Sequence, residues 1–308
     1  MPRRTNIKEC KMGLFGNYDT PGRGVLKTPH EKRPFFKFWE VYFRHMWQLM
    51  GLNFIYFLFI VPIFVMLVMI TETGNMKWLL LMLISGIMGP ASAAMTRVVR
   101  NYSQERPTFM LHDFRKAFKL NLKQGLIMGY IDTIAIVSFI VGVPLYSTMA
   151  QKNSIMYVPY VLCLSCMLVF FMMHFYIYPM MCSTNLTMKQ ILRNALFLVP
   201  IGLKKTLYTL VSSLIIILFS YLLLVLPSTM PAGLTLAMFF PFTFVTFIAC
   251  FNCYPVIRKH VIQPYYDKLG EQNPEDATDN EEEALFEDKA AEEEAVPVQK
   301  KQRKKTIK

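Results

Sequence analysis

The sequence predicts an all-α integral membrane protein with six transmembrane helices and three amphipathic helices on the cytoplasmic side. Three observations carry this prediction. Hydrophobic residues make up 54% of the 308 and charged residues only 18%, where an ordinary soluble domain has about 25% charged. The apolar residues are gathered into long blocks between Met50 and Val256, while both ends of the chain are polar. The basic residues, finally, are concentrated in alternate connections between the blocks.

The blocks run from Leu49 to Thr71, Met76 to Val99, Gly125 to Tyr146, Met156 to Met181, Leu207 to Leu226, and Gly233 to Ile257. Each comes near the roughly 20 residues that a helix needs to cross a hydrocarbon core. None alternates like a strand, and only helices or closed barrels satisfy their own backbone in lipid, so each block is read as a helix. A cleavable signal peptide would place its apolar stretch within the first ~30 residues. That region is polar and basic here, so the first block is expected to stay as an anchor.

Orientation follows from the cations. All but Lys77 and Lys152 of the 33 Lys and Arg residues lie in the N-terminal region up to and including Arg44, from Arg97 to Lys123, from Lys189 to Lys205, or after Ile257. The bias of Lys and Arg toward the inner side places these segments and both termini in the cytoplasm. A net charge of +12 would also suit nucleic acid. Its sorting by connection already accounts for it, so no nucleic-acid partner is expected. The expected partner is the bilayer itself, with basic helix faces on an anionic inner leaflet. The chain divides into a cytoplasmic N-terminal segment (1–34), a membrane domain (35–260) and a charged tail (261–308). The tail runs from acidic (Glu281 to Glu294) to basic (Lys300 to Lys308) and is low in apolar residues, a composition expected to be disordered.

A three-fold, two-helix repeat is visible. Phe43-Arg44-His45-Met46-Trp47 aligns with Phe114-Arg115-Lys116-Ala117-Phe118 and with Leu192-Arg193-Asn194-Ala195-Leu196, each leading into an odd-numbered span. Phe175-Tyr176-Ile177-Tyr178-Pro179 echoes Phe251-Asn252-Cys253-Tyr254-Pro255 at the ends of two even-numbered spans. The unit is a surface-lying helix followed by a transmembrane hairpin. Mitochondrial-type carriers share the count of six spans in three units. Here no acidic residue stands two places after Pro62, Pro90, Pro144, Pro179 or Pro241, so their signature is missing.

Candidate site residues are sparse. Asp132 is the carboxylate set deep within a span, and such groups face a cavity or a partner by default. Its readings are a hydrogen-bonded structural Asp or a proton or substrate group. His174 has a matching depth in the fourth span and is a candidate partner, with a satisfied interior histidine as the alternative. Ser85, Gly89 and Ala93 recur at four-residue spacing, which lets helix backbones approach closely in lipid. Pro90 is positioned to kink that span. Cys163-x-x-Cys166 and Cys250-x-x-Cys253 have zinc-like spacing. Their depths differ by roughly 15 Å at the rise of an α-helix, so they do not make one site. Pro21-Gly22-Arg23-Gly24 lacks the ending of a phosphate loop. No catalytic set, cofactor site or metal site is expected, and the chain does not read as an enzyme.

Two passages carry a resemblance. Phe15-Gly16-Asn17-Tyr18-Asp19-Thr20-Pro21-Gly22-Arg23-Gly24-Val25 precedes a basic, aromatic helix, and Gly89-Pro90-Ala91-Ser92-Ala93-Ala94-Met95 lies in the second span. With Asp113-Phe114-Arg115-Lys116-Ala117-Phe118-Lys119 they resemble the YesL-like family of uncharacterised membrane proteins of Gram-positive bacteria, over about Gly13 to His260. The resemblance implies a bacterial cell membrane and a non-catalytic accessory or regulatory role in carbohydrate uptake or sensing. The implied partner is a sugar transporter or sensor kinase. The alternative is a small secondary carrier with Asp132 in its pathway. The acidic tail departs from that family's pattern.

Overall fold

A computed structural model of the chain describes residues 33–73, 85–226, 228–271 and 273, and they are helical with no strand among them. Helix α1 (Pro34–Arg44) opens on a proline, whose missing N–H costs nothing in a first turn. A single residue, His45, separates it from the long α2 (Met46–Thr73). The same arrangement recurs twice. Helix α4 (Met110–Leu120) passes through Asn121 into α5 (Leu122–Lys152), and α7 (Met188–Ile201) passes through Gly202 into α8 (Leu203–Val225). Each short helix has local reasons to begin where it does. The Asp113 carboxylate accepts from the Phe109 amide at 3.0 Å, and Thr187 with Gln190 forms a capping box.

The remaining helices are α3 (Met88–Ser103), α6 (Tyr157–Ser183), α9 (Met230–Phe239), α10 (Pro241–Ile257) and α11 (Gln263–Leu269). Four stretches are long and apolar enough to cross a membrane: Met46–Val65, α5, Ser154–Ser183 and α8. Helix α9 and the continuous stretch Pro241–Leu269, which begins with α10, make a fifth if the pair is counted as one span bent by 45°. The chain is therefore a multi-pass membrane protein by length and composition of its helices.

One expected span is corrected. The block from Gly233 to Ile257 is not one helix: it breaks at Phe240, because Pro241 has no N–H to donate and forces the residue before it out of helical geometry. The block from Met76 to Val99 lies partly outside the described residues. Its described part begins at Ser85, turns at Gly86 and Ile87, and becomes regular helix at Met88. Pro90 cannot donate to the Gly86 carbonyl, and Gly89 makes a shorter-range bond to that oxygen at 3.1 Å. At the other end the chain stays helical past His260 through a wide π-turn at Arg258–Ile262. It stops at Leu269, where Gly270 takes a left-handed φ of 68°. The charged run of the tail and the motif from Phe15 to Val25 fall outside the described residues.

Packing is concentrated at the end of the bundle that carries the short helices. One core gathers Val41, Tyr42, Leu49, Leu52, Val98, Val99, Phe114 and Phe247 around α1, α2, α3, α4 and α10. A second gathers Met128, Phe175, Tyr176, Met180, Ile191, Leu198 and Ile257 around α5, α6, α7 and α10. Helix α3 runs between them, with Ala93 in one core and Ala91, Ala94 and Met95 in the other. Away from this end the hairpin of α5 and α6 is thinly covered: 17% and 6% of their most apolar windows are buried.

Candidate functional site

Asp132 stands on α5 facing α6, where His174 and Tyr178 are four residues apart and share one helix face. His174 Nε2 lies 2.9 Å from Asp132 Oδ1, and the Tyr178 hydroxyl donates to Asp132 Oδ2 at 2.5 Å. The depth match noted in the sequence is thus a contact. His174 Nδ1 is 2.9 Å from the Phe170 carbonyl oxygen, which can only accept, so Nδ1 carries a proton. One further proton then sits between Nε2 and Oδ1. Whether the pair is imidazolium with carboxylate or imidazole with carboxylic acid, its net charge is zero. Removing that proton would leave a lone negative charge among apolar side chains, which is costly.

The cluster continues inward. Ser92 on α3 faces Tyr178 and stands 2.8 Å from the Tyr56 hydroxyl on α2. His174, Asp132, Tyr178, Ser92 and Tyr56 therefore form a polar string across four helices. Its His174 end is partly uncovered, with side chains of His174 and Asp132 24% and 17% exposed, whereas Tyr56 is buried. Hydroxyls in such a string both donate and accept, so it can hold the helices in register or relay a proton.

Ser85, Gly89 and Ala93 all meet other helices. Thr133 Oγ1 on α5 is 2.9 Å from Ser85 Oγ and 2.8 Å from the Gly129 carbonyl. A Cβ on Gly89 would stand 1.8 Å from the Gly125 carbonyl oxygen, so the backbones of α3 and α5 touch there. Ala93 is fully buried, and its carbonyl accepts from Cys182 Sγ at 2.8 Å. On the α5 side the matching small residues are Gly125 and Gly129. Their four-residue spacing mirrors that of Ser85, Gly89 and Ala93 across the contact. The cysteine pairs are divided between a partly exposed stretch of α6 (Cys163, Cys166) and the buried face of α10 (Cys250, Cys253).

Asn53, one of the few polar residues within the spans, lies on α2. It is fully buried at the break between α9 and α10. Its Nδ2 donates to the carbonyls of Ala237 and Met238 at 3.1 and 3.0 Å, and its Oδ1 accepts from the Thr243 amide at 2.9 Å. One side chain thus supplies partners to groups that a broken helix leaves without any. Arg100, assigned in the sequence to a basic connection, is instead buried at the end of α3, with its guanidinium 5.3 Å from the centre of the Tyr254 ring.

A family described as "Protein of unknown function, DUF624" matches residues 72–143, a stretch that contains α3, α4, the Gly89 contact and Asp132. No curated protein matches the chain, and no solved structure does.

Proposed function

We propose that this chain is a YesL-like, six-span protein of a bacterial cell membrane with both termini in the cytoplasm. In this reading it is a non-catalytic accessory or regulatory component of a carbohydrate uptake or sensing system. The observation that carries an accessory role is the bare hairpin of α5 and α6. Val158 and Leu162, one turn apart on α6, are 71% and 62% exposed, and the window around them is 6% buried. A helix pair whose outer part is left so bare is suited to complete its packing there against another membrane protein. The match over residues 72–143 supports the family. The thrice-repeated join of short helix, single residue and long helix supports the three-unit organisation. So do Tyr178 and Tyr254, equivalent in the aligned motifs, which both face α3. Purification from native membranes in a gentle detergent tests the role. Specific recovery of a sugar transporter or sensor kinase is expected, and a protein that comes out alone would count against it.

The carrier reading is kept for one reason, the contact between Asp132 and His174. Transport by reconstituted protein that is lost in Asp132→Asn would favour it.

A further inference from the structure

The walls of an open groove are α1 and α8, and its floor is α10. Phe35, Phe38 and Trp39 form one wall, Tyr208, Ser212 and Ile215 the other, with Phe244, Ile248 and Phe251 beneath. Its volume is about 480 Å³. The α1 wall is anchored, since the Phe38 ring packs on Phe244, Phe247 and Phe251 with centroids 6.1, 5.2 and 5.3 Å away. The α8 wall is graded in polarity. Lys204, Tyr208 and Ser212 follow at four-residue spacing, so an exposed cation, a phenol, a hydroxyl and then Ile215 and Ile216 succeed one another along one face. Lys205 stands beside Lys204, also exposed, and Arg33 and Lys37 are exposed neighbours in sequence of the α1 residues that line the groove.

We propose that this groove is a binding site for one anionic phospholipid, its acyl chain lying between α1 and α8 over α10 and its headgroup at Lys204 and Lys205. The length fits. From Lys204 to Ile216 is about 18 Å at the rise of an α-helix, close to the roughly 15 Å half-thickness of a hydrocarbon core. The charge fits as well, because Lys204 and Lys205 stand at the short-helix end of α8, and beyond Tyr208 the lining is apolar or aromatic apart from Ser212 and Asn252. A lipid held there would fill the space that α1 and α8 leave between them and pin the first short helix to the bundle.

Trp39 lines the groove and reports on it directly. The probe protein is the full chain carrying Trp47→Phe and Trp78→Phe, which leaves Trp39 as its one indole. It is titrated in detergent micelles with phosphatidylglycerol or phosphatidylcholine brominated on the acyl chain. The expected result is saturable quenching by the phosphatidylglycerol at about thirtyfold lower mole fraction, the preference two nearby lysines would give. The preference should vanish in Lys204→Gln/Lys205→Gln, and the quenching itself in the groove-filling Ser212→Phe. Equal quenching by both lipids would identify ordinary boundary lipid and overturn the proposal. Absence of quenching would overturn it too, assigning the groove to a protein segment, from this chain or from a second copy.

Discussion

His174 Nε2 stands 2.9 Å from Asp132 Oδ1, close enough for one proton to bridge them, and Tyr178 holds the other carboxyl oxygen. Because the pair is neutral in either protonation form, an amide can stand in for the carboxyl. In Asp132→Asn the new NH₂ donates to His174 Nε2 while the amide oxygen still accepts from Tyr178. The apparent unfolding midpoint in detergent should then fall by less than about 1 kcal/mol, whereas Asp132→Leu, which strands both partners, should cost about 3 kcal/mol. Equal damage from the two substitutions would show that an ionised carboxylate is required.

Asn53 makes its bonds to both sides of the break at Phe240 and Pro241. Asn53→Leu keeps the branched shape but leaves two carbonyls and an amide of α9 and α10 without this partner. We expect a loss of about 3 kcal/mol or more in thermal stability. Faster proteolysis or hydrogen exchange confined to residues 237–243 would locate the damage at the break.

Two glycines give opposite expectations. A Cβ at Gly89 would meet the Gly125 oxygen at 1.8 Å, while one at Gly51 would meet only the Met110 side chain at 3.6 Å. Gly89→Ala should therefore separate α3 from α5 and cost at least about 3 kcal/mol. Gly51→Ala should be neutral or stabilise by up to about 1 kcal/mol through helix propensity. Thermal midpoints of the two purified variants, measured side by side, check both.

His45, at the joint between α1 and α2, stacks on the Tyr102 ring with centroids 4.6 Å apart. Burial and the Arg44 guanidinium lower its pKa from the usual 6.5, with Glu105 opposing them. In the window between that lowered value and 6.5 the unfolded chain binds more protons than the folded one, so stability drops as pH falls through this range. His45→Phe preserves the stack and removes the titration. Its midpoint should lose the part of the wild-type slope seen below about pH 6.5; an unchanged slope would mean that other groups govern it.

Much of the membrane architecture was legible because it is written in composition. Apolar block length and the sorting of Lys and Arg depend on the surrounding solvent, not on neighbouring helices. The short helices before α2, α5 and α8 were legible too, since amphipathic spacing is local. The break at Phe240 was not anticipated, because Pro241 sits in an unbroken apolar block and its consequence depends on Asn53, about 190 residues away. In the site, Asp132 and His174 announced themselves as ionisable groups in lipid. Tyr178, Ser92 and Tyr56 did not, since aromatic and small hydroxyl residues are ordinary in spans. Gly125 and Gly129 gain meaning only when set against Gly89. Arg100 shows the limit of counting charges by connection, because burial over Tyr254 is a tertiary fact.

The central claim is that a membrane partner completes the bare hairpin of α5 and α6. The most direct measurement places a photo-reactive side chain at Val158 or Leu162 in cells, with Gly89 and other packed positions left intact, and identifies what is cross-linked on illumination. The account predicts one discrete protein adduct, a subunit of a sugar transporter or a sensor kinase, at both positions. Adducts to lipid alone at both positions would contradict it.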